Sequence, residues 1–121
     1  MRIRAARGAI VVARDQPSVV LAATERLLED MLAANDVPTD ELISILFSTT
    51  PDLRSVFPAE AARRMGLAAV PLLCAQEIPV AAAPSSVVRV LMHFHSERRL
   101  DEVVHVYLDG AESLRDDLEP A

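Results

Sequence analysis

The sequence predicts an α+β fold: a mixed β-sheet of about five strands with two main helices on one face. Three observations predict it. Strand-like and helix-like segments alternate over the first half of the chain, strand-like segments dominate the second half, and the apolar half of the composition carries only four aromatic residues. A core of Val, Leu, Ile, Ala and Met suits a sheet whose helices pack along aliphatic stripes. A length of 121 residues suits one domain, spanning 1–121, that buries roughly two thirds of its unfolded surface.

Residues 2–12 read as a first strand, rich in Ile and Val towards its end and closed by a polar turn at Arg14 and Asp15. Pro17 opens a helix in which Val20, Thr24, Leu27, Leu28 and Met31 share one stripe, until Asn35, Asp36 and Pro38 stop the pattern. A helical turn at Asp40 to Leu42 leads into a buried strand from Ile43 to Ser48, and Thr49-Thr50-Pro51-Asp52 is a turn. Pro58 and Gly66 bracket a second, shorter helix. Val70 to Glu77 reads as a third strand, Pro79 to Pro84 as a loop, Val87 to His95 as a fourth strand and Val103 to Leu108 as a fifth. Gly110 turns the chain, and residues 111–121 form an acidic, mobile tail. Such a sheet has one uncovered face, and burying it against copies of the chain in a closed ring would account for the apolar surplus.

Composition excludes several functions. A formal charge of −6 disfavours nucleic acid, which requires a basic face. No apolar run approaches the ~20 residues of a membrane span, and Arg2, Arg4 and Arg7 interrupt any N-terminal secretory segment. Cys74 is a lone cysteine, which excludes an internal disulfide and suits a reducing cytoplasm. An anionic small molecule needs only a local cluster of the 12 cationic side chains.

With Gly8, Gly66 and Gly110 as the only glycines, no phosphate-cradling or dinucleotide loop is present, nor is there a zinc motif or a nucleophile elbow. His93 and His95 lie two apart on a strand and face one side, which makes either half of a metal site or a surface pair; with no third ligand pattern, no metal is expected. Arg7, beside Gly8 within a strand, must reach solvent, a carboxylate or a ligand. Arg89 interrupts Val87, Val88, Val90, Leu91 and Met92. A guanidinium there needs an anion, either structural or bound, to offset its desolvation. Glu77 is either solvated or that partner. Cys74 reads as a buried inert thiol, and Tyr107 as a packing residue or a specific hydrogen-bond donor.

The segments Arg7-Gly8-Ala9, Thr50-Pro51-Asp52-Leu53, Val56-Phe57-Pro58-Ala59, Val70-Pro71, Cys74-Ala75-Gln76-Glu77, Arg89, His105-Val106-Tyr107-Leu108 and Leu114-Arg115-Asp116-Asp117-Leu118 resemble, in order and spacing, the AroH-class chorismate mutases. The resemblance covers essentially the whole chain. It implies a cofactor-free homotrimer with a barrel-like centre and active sites at the subunit boundaries. Its reaction would be the isomerisation of chorismate to prephenate in phenylalanine and tyrosine biosynthesis. It assigns Arg7 to a substrate carboxylate, Arg89 to the ether oxygen and an adjacent carboxylate, and Tyr107 to a carboxylate. By the same resemblance Cys74 and Glu77 surround the ring and its hydroxyl, Phe57 and Ala59 pack against substrate, Leu72 and Leu73 line the site, and Arg63, Leu114 and Arg115 help close its mouth. Two departures stand out: Glu60 replaces a lysine common in the family, reversing a charge near the entrance, and Leu73 replaces a threonine.

The inventory suits that reaction. The rearrangement is pericyclic, so it asks for no nucleophile and no proton transfer. It needs a compact conformer held in place and positive charge where the ether oxygen becomes negative. Two other readings use the same residues. One is a trimeric small-molecule-binding or imine-hydrolysing protein of similar fold, which would need fewer arginines. The other is a structural oligomer in which Arg89 and Glu77 form a buried pair, leaving Arg7 and Arg115 without purpose.

Overall fold

The computed structural model describes residues 1–117, with side chains described through Leu114. Five strands form one mixed sheet in the order β3-β2-β4-β1-β5: β1 is Arg2–Val11, β2 Leu42–Thr49, β3 Leu72–Gln76, β4 Val87–Ser96 and β5 Val106–Leu108. β4 runs antiparallel to both β1 and β2, whereas β5 pairs parallel with β1 and β3 parallel with β2. Helix α1, Pro17–Ala34, connects β1 to β2, and helix α2, Ala59–Arg64, connects β2 to β3. Both crossovers step in the same direction across the sheet. Taking the same hand, they deliver both helices to the same face.

That face is the core. Alternation along the strands turns Ala6 and Ile10, Ile45 and Phe47, and Val88, Val90, Met92 and Phe94 towards Leu27, Leu28 and Met31 of α1, all in one buried cluster. Each large side chain buried there contributes about 1.5–3 kcal/mol relative to leaving it in water. The α1 stripe expected from periodicity is the observed one. Gly8 lets the helix approach: a Cβ at this position would overlap Met31 Sδ. The glycine beside Arg7 is thus explained by close packing of α1 on β1.

Two strands start two or more residues later than expected. Strand β5 starts at Val106 rather than Val103, because the buried Asn35 side chain takes both backbone groups of Val104: its Oδ1 accepts from Val104 N at 2.8 Å and its Nδ2 donates to Val104 O at 2.9 Å. A side chain satisfies what a neighbouring strand would otherwise satisfy. Strand β3 starts at Leu72, since Val70 N donates to Leu67 O in a turn. The segment expected as a mobile tail also begins packed. Ala111–Asp117 is a 3-10 helix whose Ala111 and Leu114 are 0% and 7% exposed, clustered with Ala9 and Val87. Residues 118–121 lie outside the described part.

Away from that short helix, the second face of the sheet is uncovered. Ile3 is 63% and Leu73 61% exposed, and Leu46 and Leu91 also lie open there. Among the described residues, no helix is long and apolar enough to cross a membrane.

Candidate active site

Strand register writes two rows of side chains across the uncovered face. One runs Arg7, Leu91, Leu46, Leu73, and the next runs Tyr107, Ala9, Arg89, Ser48, Ala75. A hollow of about 320 Å³ lies on these rows, lined among others by Arg7, Leu46, Ser48, Arg89, Leu91 and Tyr107. Two guanidinium-bearing residues therefore share one site. They are diagonal neighbours of an antiparallel pair, a relation that puts Cα atoms about 7–8 Å apart.

Arg89 is held by Glu77. Its Nε donates to Glu77 Oε2 at 3.1 Å, with both side chains partly shielded from solvent. The Ser48 hydroxyl donates to the same oxygen at 2.7 Å, and Glu77 N donates to Thr49 O at 2.9 Å, extending the β2–β3 ladder by one residue. Of the two readings open for Arg89, the structure supplies the structural carboxylate, and through Nε alone. Nucleophilic chemistry at Ser48 is disfavoured by the same geometry. The oxygen that would take its proton is already bonded to Arg89, and proton transfer would compete with that ion pair.

Arg7 is anchored through its backbone. Its N–H donates to the His105 Nδ1 at 2.9 Å, so a ring nitrogen takes the place of a backbone partner just before the β1–β5 ladder begins at Gly8 and Val106. Tyr107 packs against the cluster of Ala9, Val87, Ala111 and Leu114. Leu114 is thus buried beside Tyr107 and supports it from the C-terminal segment. The Arg115 side chain lies outside the described residues.

A second hollow, of about 440 Å³, is lined by Leu53, Arg54, Val56, Phe57, Pro58, Cys74 and others, and shares Ala75 with the first. Phe57 is 73% exposed at its rim. Leu72 and Cys74 are half-buried and pack on the core side of β3, whereas Leu73 points from the uncovered face. Ala59 lies beside Pro58 at the start of α2 and is 3% exposed, packed in the core cluster. Arg63 pairs with Glu60 at 3.2 Å along α2, so an acidic residue of the same helix occupies this cation. The candidates fall into two groups: Arg7, Arg89 and Tyr107 around the first hollow, with Glu77 joined to it through Arg89, and Phe57 and Cys74 around the second.

The loops beside the second hollow are fastened by two aspartates. Asp15 accepts from Arg54 N at 3.0 Å and Ser55 N at 3.1 Å. A bond from the Ser55 hydroxyl, then the Arg54 amide, hold its carboxyl below the usual range. Asp52 accepts from Ser86 N at 3.0 Å. Its burial works to raise the carboxyl, but bonds from the Thr50 hydroxyl and the Ser86 amide outweigh it and hold the group below its usual value. His93 and His95 are engaged locally: His93 Nδ1 lies 3.1 Å from Ser44 Oγ, and His95 Nδ1 lies 3.4 Å from Glu41 Oε2. Among the described residues, no cluster of three or more His, Cys, Asp or Glu is placed to hold a metal.

Sequence reasoning missed Ser48 and the role of His105. Ser48 looks like any strand serine until β2 is paired with β4, which sets it opposite Arg89. His105 sits beside Tyr107 in a recognisable motif, but its bond to Arg7 spans 98 residues.

Comparison with known proteins agrees with this architecture. The family profile for chorismate mutase type I matches residues 3–118. The chain is 47% identical over 120 residues to the chorismate mutase AroH of Thermus thermophilus, covering 98% of each chain. It is 39% identical over 119 residues to that of Bacillus subtilis strain 168, covering 98% of this chain and 94% of the relative. A solved chorismate mutase from Clostridium thermocellum superposes with a TM-score of 0.88 at 38% identity, covering 90% of this chain and 97% of the other. The shared profile, the near-complete coverage and the shared fold place this chain in the chorismate mutase type I family.

Proposed function

We propose that this protein is a chorismate mutase that isomerises chorismate to prephenate by a concerted rearrangement, without a cofactor and without covalent or acid–base steps. The observation that carries the proposal is the pair Arg7 and Arg89 in one hollow of the uncovered face, with Arg89 tethered to Glu77 through Nε. A dicarboxylate needs two cations, and an ether oxygen gaining negative charge needs a donor whose charge is permanent. Arg7 binds a carboxylate. Arg89 binds the ether oxygen and the adjacent carboxylate, and its charge is worth more as the carbon–oxygen bond lengthens. Tyr107 assists at a carboxylate, while Glu77 and Cys74 border the ring and its hydroxyl. Similarity to chorismate mutases of two bacteria supports the substrate.

The working unit is a cytoplasmic homotrimer. Exposed Ile3, Leu46, Leu73 and Leu91 on the uncovered face support burial against other copies. Phe57 and Cys74 line a hollow apart from that of Arg7 and Tyr107, which supports sites completed between subunits, with Leu72, Leu73, Arg63, Leu114 and Arg115 around them. The test is incubation of the purified protein with chorismate, with no cofactor added and a chelator present. Chromatography should show prephenate replacing chorismate, and light scattering should give three times the chain mass. Unchanged chorismate overturns the activity, and an active monomer overturns the shared site.

A further inference from the structure

We infer that Ser48 is a positioning residue for the reaction, holding Glu77 so that it tethers Arg89 by one nitrogen without taking up the rest of its guanidinium. The inference rests on the proposed activity. Its geometric basis is the shared oxygen: Ser48 Oγ at 2.7 Å and Arg89 Nε at 3.1 Å both donate to Glu77 Oε2. Ser48 and Arg89 are register partners on β2 and β4. Their backbones are fixed relative to one another, and the carboxylate reaches both from the end of β3.

A carboxylate and a guanidinium commonly settle into a two-pronged pair, with both oxygens on one edge of the planar fork. In that arrangement Glu77 would occupy a second nitrogen of Arg89 and neutralise much of its charge towards a ligand. Reaching it requires the carboxylate to rotate so that Oε1 meets that nitrogen, a turn that would bend the Ser48 bond to Oε2 away from its preferred angle. A hydroxyl bond to a charged acceptor is among the stronger kinds, so Ser48 opposes the turn. The remaining edge of Arg89 then stays directed at substrate. Ser48 does this through Glu77 and forms no bond to the reacting atoms.

The experiment measures kcat and KM for Ser48→Ala and Ser48→Thr, each alone and in a Glu77→Gln background, beside the parent protein and with thermal unfolding as a control. Ser48→Ala should lower kcat about tenfold while KM changes by less than about twofold. Ser48→Thr, which keeps the hydroxyl, should restore kcat to within about threefold of the parent. In the Glu77→Gln background the cost of Ser48→Ala should shrink to about twofold or less, because the carboxamide has no charge with which to capture Arg89. A parent-like kcat in Ser48→Ala, a loss confined to KM, or an undiminished loss in the Glu77→Gln background would each overturn the inference. If Ser48→Ala does not fold, Ser48→Cys, nearly the same size with a weak donor, takes its place under the same criteria. An inactive parent would overturn the activity itself, and this inference with it; an active parent with an unaffected variant overturns the role of Ser48 alone.

Discussion

Arg89 meets Glu77 through a single nitrogen, Nε to Oε2 at 3.1 Å, although the guanidinium could offer a two-pronged edge. The pair is partly exposed, so its contribution to stability is small beside its effect on where the charge of Arg89 points. Replacing Arg89 with Met should lower kcat by at least about 10²-fold, with a much smaller change in KM, because the interaction strengthens as the ether bond breaks. Lysine should rescue only in part, since a point charge cannot serve both oxygens that a planar fork can. Steady-state kinetics on folded variants checks this. A turnover within a few-fold of the parent would sink the electrostatic mechanism.

Gly8 should be needed for packing rather than for catalysis. A methyl group at this position meets Met31 Sδ and Leu27 Cδ1, both on buried side chains of α1. Gly8→Ala is expected to destabilise the fold by about 1–3 kcal/mol, the usual cost of overpacking. Denaturant unfolding measures it. Combination with Met31→Ala should cost less than the sum of the two single changes, because the cavity admits the new methyl; strict additivity would show that the clash is relieved elsewhere.

Removing the C-terminal segment should act through Tyr107. Truncation after Gly110 deletes Ala111 and Leu114, which pack with Ala9, Val87 and Tyr107. Loss of the buried leucine alone is worth about 1.5–3 kcal/mol. The shortened chain should therefore unfold at lower denaturant and bind substrate more weakly than the parent. Parent-like stability would mean that Leu114 does not anchor the segment.

Acid should release the loops beside Phe57 before the core gives way. Asp15 and Asp52 both have carboxyls lowered by hydrogen bonds in the folded chain. For a lowered carboxyl, the stabilising effect is complete above the unfolded value of about 3.9 and is lost as pH falls through the folded value. Stability should thus be flat from neutrality to about pH 5 and decline below about pH 4. Denaturant midpoints measured down the pH scale test this. Asp52→Asn should be less stable at neutral pH and show a shallower acid decline, and an unchanged slope would assign the decline to other groups.

What was legible in the sequence is what depends on neighbours along the chain. The stripe Val20, Thr24, Leu27, Leu28 and Met31 is buried as its spacing predicts, because a helix places such positions on one face wherever it docks. The helices at Pro17 and Pro58, the alternation of β4 and the turn at Gly110, where φ is +97°, follow from equally local rules. Arg89 stood out because a cation within an apolar strand needs an anion. Only the tertiary structure decided which one. Glu77 and Ser48 reach Arg89 because β2 lies between β3 and β4, and nothing local specifies that strand order. The late start of β5 has the same origin, since Asn35 takes the backbone of Val104 across 69 residues. Burial of Ala59 and pairing of Arg63 with Glu60 likewise depend on how α2 docks and which rotamers its exposed face adopts. Periodicity fixes which side of an element faces the core, whereas partners across the sheet are chosen by packing of the whole chain, where distant residues meet and their hydrogen bonds must be satisfied together.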